Sequence, residues 1–265
     1  VSPAVLSVAG SDPSGGAGLQ SDIKTIHAHG CYALAVPSLI TVQSTQGVRA
    51  VQTLDAELVR AQLEWLLQDL RPAAAKTGAL GSASVVRELA ALARQADMPW
   101  VVDPVLLATD GASLGEPGLA EALRDELLPE AALVTPNASE AEVLAQMQVR
   151  TLQDAREAAR RLASLGARAV LVKGGHLQGP SRGTDVLFSG GQFHQLAPSA
   201  TLPRAPHGTG CALSAAIASR LALGEPLLEA VTGAKAWLTR VAEQAFSLGQ
   251  GALVLDHFHG LTEQS

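Results

Sequence analysis

The sequence predicts an α/β fold, a three-layer αβα sandwich in which helices cover both faces of a mostly parallel central sheet. Three observations point there. Strand-length apolar runs alternate with longer segments of helical period along most of the chain. Hydrophobic residues make up 47% of the chain but aromatics only 3%, so the core is built from Ala, Leu and Val, as suits helices on a parallel sheet. Polar and glycyl residues collect just after the predicted strands, at the edge where open parallel sheets bind ligands. No repeat, low-complexity segment or linker divides the 265 residues, so one domain spanning 1–265 is expected.

The first strand is the apolar run Val5 to Val8, followed by a small-residue loop, Ala9 to Gly18, and a helix from about Leu19 to Ala28. Ala33 to Val42 reads as a second strand, with Pro37 marking an edge or an irregularity. Val59, Leu63, Leu66, Leu67 and Leu70 share one face of the next helix, and Asp55 stands where its N-cap falls. Strands near Ala73–Lys76, Trp100–Asp103, Ala132–Thr135 and Ala169–Lys173 then interleave with helices near Ser82–Gln95, Gly118–Leu127 and Thr151–Leu165. Thr151 and Asp154 form a capping pair for the last of these. Val186–Phe188 and Gln192–Leu196, joined through Ser189-Gly190-Gly191, predict a hairpin, and helices over about Cys211–Leu223 and Pro226–Phe246 close the chain.

A formal charge of −6 gives no positive field for nucleic acid or an anionic membrane, so a small-molecule substrate is expected and neither of those partners is. Cys31 and Cys211 are far apart and outside any metal-ligand spacing, which fits a cytoplasmic location. No apolar run reaches the length of a membrane span. The first loop lacks G-x-G-x-x-G, against a nicotinamide-dependent oxidoreductase, and neither a Walker A loop nor the protein-kinase signatures occur.

The most telling segment is His207-Gly208-Thr209-Gly210-Cys211, which places a glycine-flanked turn ahead of an apolar helix. Free N–H groups at that helix start, with the positive end of the helix dipole behind them, form an anion cradle. A thiol there is expected to have a lowered pKa and to serve as a base, whereas Cys31, without such a context, reads as a small buried hydrophobe.

Five segments occur in order: Ala9 to Thr25, Val102-Asp103-Pro104-Val105, Thr135-Pro136-Asn137-Ala138-Ser139-Glu140, Val172-Lys173-Gly174-Gly175-His176 and His207 to Cys211. Together, from about Val5 to the C-terminal helix, they resemble the hydroxymethylpyrimidine/phosphomethylpyrimidine kinases of the ribokinase-like superfamily. The resemblance implies ATP and Mg²⁺, with two successive phosphoryl transfers to an aminopyrimidine in thiamine biosynthesis. It implies Cys211 as base, in a branch that carries cysteine where most of the superfamily has aspartate, with Gly208, Thr209 and Gly210 holding the transferred group. On the substrate side it implies Gln43, Asp22, Gly10 and Val105, and for the nucleotide Lys173, Asn137, Glu140 and Lys235. Asp103 and Glu140 are implied for the metal. A homodimer is expected, as is common in this group.

Several of these residues have a second reading. Gln43 offers a donor and an acceptor that match an aminopyrimidine edge, or simply closes a strand as a solvated amide. Asp22 is either on the substrate side or an exposed helix carboxylate. Asn137 and Glu140 form a near capping box, a role compatible with a ligand-facing helix end. Asp103 opens an Asp-Pro turn or holds Mg²⁺ through water. Lys173 ends a strand before Gly-Gly, while Lys235, on a helix, is either solvated or a phosphate contact. His207 is placed to orient the cradle or a substrate phosphate; His176, His257 and His259 read as turn or surface residues. Ala79 stands where many pyrimidine kinases have methionine, which enlarges the pocket and keeps pyridoxal open as a substrate, although the pyridoxal-specific relatives tend to carry an apolar residue at Gln43. A non-catalytic binding module is the reading from another class. The lid over the site is expected in Leu106–Gly118 or in the hairpin near Gly190.

Overall fold

A computed structural model describes residues 2–108, 111–198 and 206–260. Among these, nine strands form one sheet in the order β3-β2-β1-β4-β5-β6-β7-β8-β9. The strands are β1 (Ala4–Ser11), β2 (Tyr32–Ser44), β3 (Gly47–Thr53), β4 (Ala74–Thr77), β5 (Trp100–Val102), β6 (Leu133–Val134), β7 (Ala169–Val172), β8 (Asp185–Ser189) and β9 (Gln192–Leu196). From β2 to β7 all neighbours pair in parallel, and antiparallel strands finish both ends. The chain leaves β1 for β2 on one side and crosses back to β4 on the other. That reversal opens a crevice beyond the carboxyl ends of β1 and β4, the natural ligand position in such sheets.

Strand residues alternate between two cores. Leu6, Val8, Ala75, Val102 and Val134 pack toward α2 (Ala56–Asp69), α3 (Ala83–Gln95), α4 (Leu119–Ala122), α5 (Ala138–Ala145) and α6 (Leu152–Ser164). Val5, Val101, Leu133 and Leu171 pack toward α1 (Gly18–Ala28), α7 (Thr209–Ala222) and α8 (Leu227–Glu243). This is the expected three-layer sandwich. No helix among the described residues is long and apolar enough to cross a membrane.

Most boundaries fall where periodicity and caps place them. Ser82 caps α3 by accepting from the Val85 N–H, and Thr151 and Asp154 form a full capping box on α6. Asp55 occupies the N-cap of α2, but its side chain makes no cap bond. Pro37 sits in β2, an interior strand, and the sheet absorbs it by a register shift opposite Ala9 and Gly10. β3 was not expected: Gly47–Thr53 buries none of its residues fully and so carries no clear apolar alternation, and it pairs with β2 along the edge of the sheet. The hairpin near Gly190 is overturned as a lid, because β8 runs antiparallel and puts Ser189 beside Ala169, at the opposite end from the ligand edge. The other expected lid, 106–118, lies at that edge; its described part folds on itself through the Ala108 N–H to Ala112 O and Leu114 N–H to Leu106 O bonds, and 109–110 lie outside the described residues.

Candidate active site

The glycine-flanked turn begins α7 as expected. Gly208 is its N-cap at φ 81°, and a Cβ there would fall 1.9 Å from the carbonyl oxygen of Gly16, so the position requires glycine on both counts. The two glycine-rich loops, after β1 and before α7, are thus in direct backbone contact. Asp12 organises the first: its Oδ1 accepts from the Ser14 N–H at 2.9 Å and its Oδ2 from the Ala17 N–H at 2.9 Å. Burial works to raise the Asp12 carboxyl, and the bonds from His207, Ser14 and Ala17 outweigh it, leaving a net downward shift. Sequence reading missed Asp12, although Asp-Pro-Ser-Gly carries an Asx-turn signature.

On one flank stand Gln43 and His207. The Gln43 Nε2 lies 2.9 Å from His207 Nε2, and Gln43 Oε1 accepts from Thr41 Oγ1 at 3.1 Å. The same ring nitrogen is 3.3 Å from Asp12 Oδ2, so its tautomer decides which neighbour it serves. Gly10 lies beneath Ala79, whose Cβ would be 3.7 Å from a Cβ at Gly10. Val105, half-buried, follows Asp103 at the end of β5.

The other flank holds charge. Asp103 is buried; its Oδ1 accepts from Lys173 Nζ at 2.8 Å and Thr135 Oγ1 at 3.1 Å, and its Oδ2 from Ser214 Oγ at 3.3 Å. Lys173 Nζ also lies 4.0 Å from Glu140 Oε2. A Cβ at Gly210 would sit 3.2 Å from that ammonium, which brings the cradle against the pair. Asn137 and Glu140 make a complete capping box, at 2.7 and 2.9 Å, so the structural reading of this pair holds at a helix end that faces the site. Burial pushes Glu140 up to about 7 against the pull of Lys173. Desolvation lowers the Lys173 ammonium, but Asp103 and Glu140 more than offset it and the net shift is upward.

Three expectations are corrected. Lys235 is not free for a phosphate: its ammonium is taken up by the Asp185 carboxylate and by the carbonyls of Gly183 and Leu196, and Asp185 in turn accepts from the Gly174 N–H. Lys235 therefore braces the loop after Lys173. Asp22 is not an exposed helix carboxylate; it is fully buried, with Ser7 Oγ at 2.6 Å and Lys76 Nζ at 2.7 and 2.9 Å. The Cys211 thiol is pushed up to about 11 rather than lowered. Burial is the main cause, Asp22 and Asp103 add to it, and Lys76 and the Gly18 N–H oppose it. Local sequence shows the helix start but not the two carboxylates brought in from α1 and β5.

Among the histidines, His259 is exposed as expected, whereas His257 is buried, its Nε2 3.0 Å from Ser21 Oγ. Cys31 is buried, as expected of a structural thiol. No group of three or more His, Cys, Asp or Glu side chains able to hold a metal occurs among the described residues. Asp103 and Glu140, one carboxylate each, fit a Mg²⁺ that takes its remaining ligands from phosphates and water.

An anion cradle on α7, a half-buried thiol within it, and a lysine–carboxylate cluster at the ligand edge of this sheet define a small-molecule kinase of ribokinase-like fold. The model of the phosphomethylpyrimidine kinase family matches residues 12–256, and the chain belongs to that family. A hydroxymethylpyrimidine/phosphomethylpyrimidine kinase of Rhizobium meliloti is 44% identical over 259 residues, 96% of each protein. Among solved structures, phosphomethylpyrimidine kinase from Clostridium difficile is 36% identical, with a TM-score of 0.79 over 90% of this chain and 98% of that one. The pyridoxal kinase of Staphylococcus aureus, in complex with AMP-PCP and pyridoxal, is 31% identical, with a TM-score of 0.88 over 97% of this chain and 94% of that one.

Proposed function

We propose that the chain transfers the γ-phosphoryl group of ATP to 4-amino-5-hydroxymethyl-2-methylpyrimidine, and then a second one to the resulting monophosphate, giving the pyrophosphate used in thiamine biosynthesis. The observation that carries this reading is the half-buried Cys211 thiol, set in the Gly208–Gly210 cradle between Gln43 and His207 on one flank and Asp103 and Lys173 on the other. Gln43 holds the aminopyrimidine edge, with Gly10 and Val105 beside the ring. Cys211, as the thiolate, takes the proton of the hydroxymethyl group as its oxygen attacks the γ-phosphorus, and ADP leaves with the bridging oxygen. The N–H groups of Gly208, Thr209 and Gly210 hold the transferred group. Lys173 and the Asn137 end of α5 face the nucleotide phosphates. Asp103 and Glu140 are the residues that would hold Mg²⁺, which neutralises phosphate charge when bound.

Cys211→Ala should lower kcat by about two to four decades while pyrimidine affinity, read by calorimetry, stays close to that of the parent. Unchanged turnover would remove Cys211 from the base role. A second reading, pyridoxal as acceptor, is favoured by the small Ala79 beside Gly10 and by the likeness to the Staphylococcus aureus enzyme. Parallel assays decide between them: a higher kcat/KM for pyridoxal than for the pyrimidine overturns the assignment.

A further inference from the structure

Beneath the cradle lies a buried charge pair that the proposed reaction does not use. Ser7 and Lys76 are register partners on β1 and β4, and both point to the face covered by α1 and α7. There they meet Asp22 of α1, whose two oxygens take Lys76 Nζ at 2.9 and 2.7 Å and Ser7 Oγ at 2.6 Å. All three side chains are closed to solvent. Removing both charges from water is expensive, and a well-packed apolar trio would fill the same space at less cost.

The pair sits at the strand ends, not in mid-core. A Cβ at Gly78 would fall 3.0 Å from Lys76 Nζ, placing the ammonium at the carboxyl edge where β1 and β4 part. Asp22 lies one turn into α1, whose first residue, Gly18, turns its N–H to Cys211. Cys211 therefore stands at the start of α7 and faces the start of α1, with Lys76 and Asp22 acting on it electrostatically in opposite senses. The other charged groups that face it are Asp103 from β5 and Lys173 from β7.

From this arrangement we infer that Lys76, oriented by Asp22 and Ser7, is a positioning residue that sets the balance between thiol and thiolate at Cys211. Its relevance to phosphoryl transfer rests on Cys211 as the base; its effect on the thiol does not. Lys76 supplies the positive charge that lets the sulfur give up a proton in a closed site, and Asp22 holds that charge in place while limiting its strength.

The test is alkylation of Cys211 by iodoacetamide at pH 8, resolved from Cys31 by peptide mass spectrometry. Well below its titration midpoint the rate follows the thiolate fraction, tenfold per pH unit. Lys76→Met should slow alkylation tenfold or more, and Asp22→Asn should speed it by a similar factor, as expected for a charge in close range. Lys76→Met/Asp22→Asn together should return the rate to within a few-fold of the parent. A merely structural role predicts faster alkylation in both single variants through loosened packing, and that result, or no change in either, overturns the inference. Because Lys76→Met leaves a buried carboxylate unpaired and can unfold the chain, Asp22→Asn and the double variant decide in that case: a faster Asp22→Asn with the double variant back near the parent supports the inference, and equal rates in the two overturn it. In turnover, Lys76→Met should lower kcat more than it alters KM, and raising the pH should recover part of the loss. If alkylation follows the expected order while kcat does not respond, the effect on the thiol stands and the base role of Cys211 falls.

Discussion

At the scale of single residues, the site tolerates change in proportion to what a new atom would meet. Gly208→Ala would drive a Cβ to 1.9 Å from a backbone oxygen at a positive φ, so the two loops must separate. We expect at least a tenfold loss of kcat/KM and about 1–3 kcal/mol of stability, read by kinetics and denaturant titration. Gly210→Ala meets only the flexible end of Lys173, at 3.2 Å, and has an ordinary φ. It should cost a few-fold in the KM for ATP and little stability, and an effect as large as that of Gly208→Ala would contradict the geometry. Cys211, Asp103 and Lys173 were legible in the sequence because each sits in a motif beside a glycine or proline that marks a strand or helix end. The pairing of Lys76 with Asp22 was not. One closes a strand, the other lies on a helix, and the bond between them spans 54 positions with no local pattern to announce it.

Caps are the feature of the elements that sequence reads best, since a cap is a contact between near neighbours. Two capping boxes of the same design stand in different surroundings: that of α5 is part-buried against Lys173, and that of α6 is exposed. Thr151→Ala should remove about 1 kcal/mol and lower Tm by about 2–4 °C without touching kcat or KM. Asn137→Ala should cost similar stability but also raise the KM for ATP, because α5 begins at the ligand edge against Lys173. Equal kinetics for both variants would make the Asn137 box purely structural. β3 escaped notice for the converse reason: its stability comes from pairing with β2 rather than from a face of its own, so neither alternation nor periodicity marks it. Likewise the Asp55 side chain, correct in type and position for a cap, leaves its bond unmade.

For the whole molecule, one continuous sheet with two cores supports a single folding unit, and calorimetry should record one cooperative transition; two resolved transitions would refute it. The 246–257 segment fastens that unit. Val254 bridges to His207 and to Phe246, the Ala252 N–H donates to Thr45 O, and His257 closes on Ser21. Burial, with Lys24 nearby, pulls His257 down from 6.5 to about 4. Such a histidine stays neutral in the folded chain while the unfolded chain takes up a proton, so its contribution is complete above about pH 6.5 and is lost as the pH falls toward 4. The loss is on the order of 3 kcal/mol. Denaturation midpoints across that window should fall in the parent and stay flatter in His257→Gln. The strand reversal at β1 and β4 has a further consequence for how acceptor choice can change. Gly10, Gln43 and Ala79 all precede α3, whereas Asp103, Glu140 and Lys173 all follow it. A single recombination joint within α3 would therefore exchange most of the acceptor pocket, Val105 excepted, while leaving the donor side intact, provided the partners of Gln43 and Thr45 in 207–252 are matched. New vitamin specificities could arise on this scaffold by inheritance of one N-terminal segment.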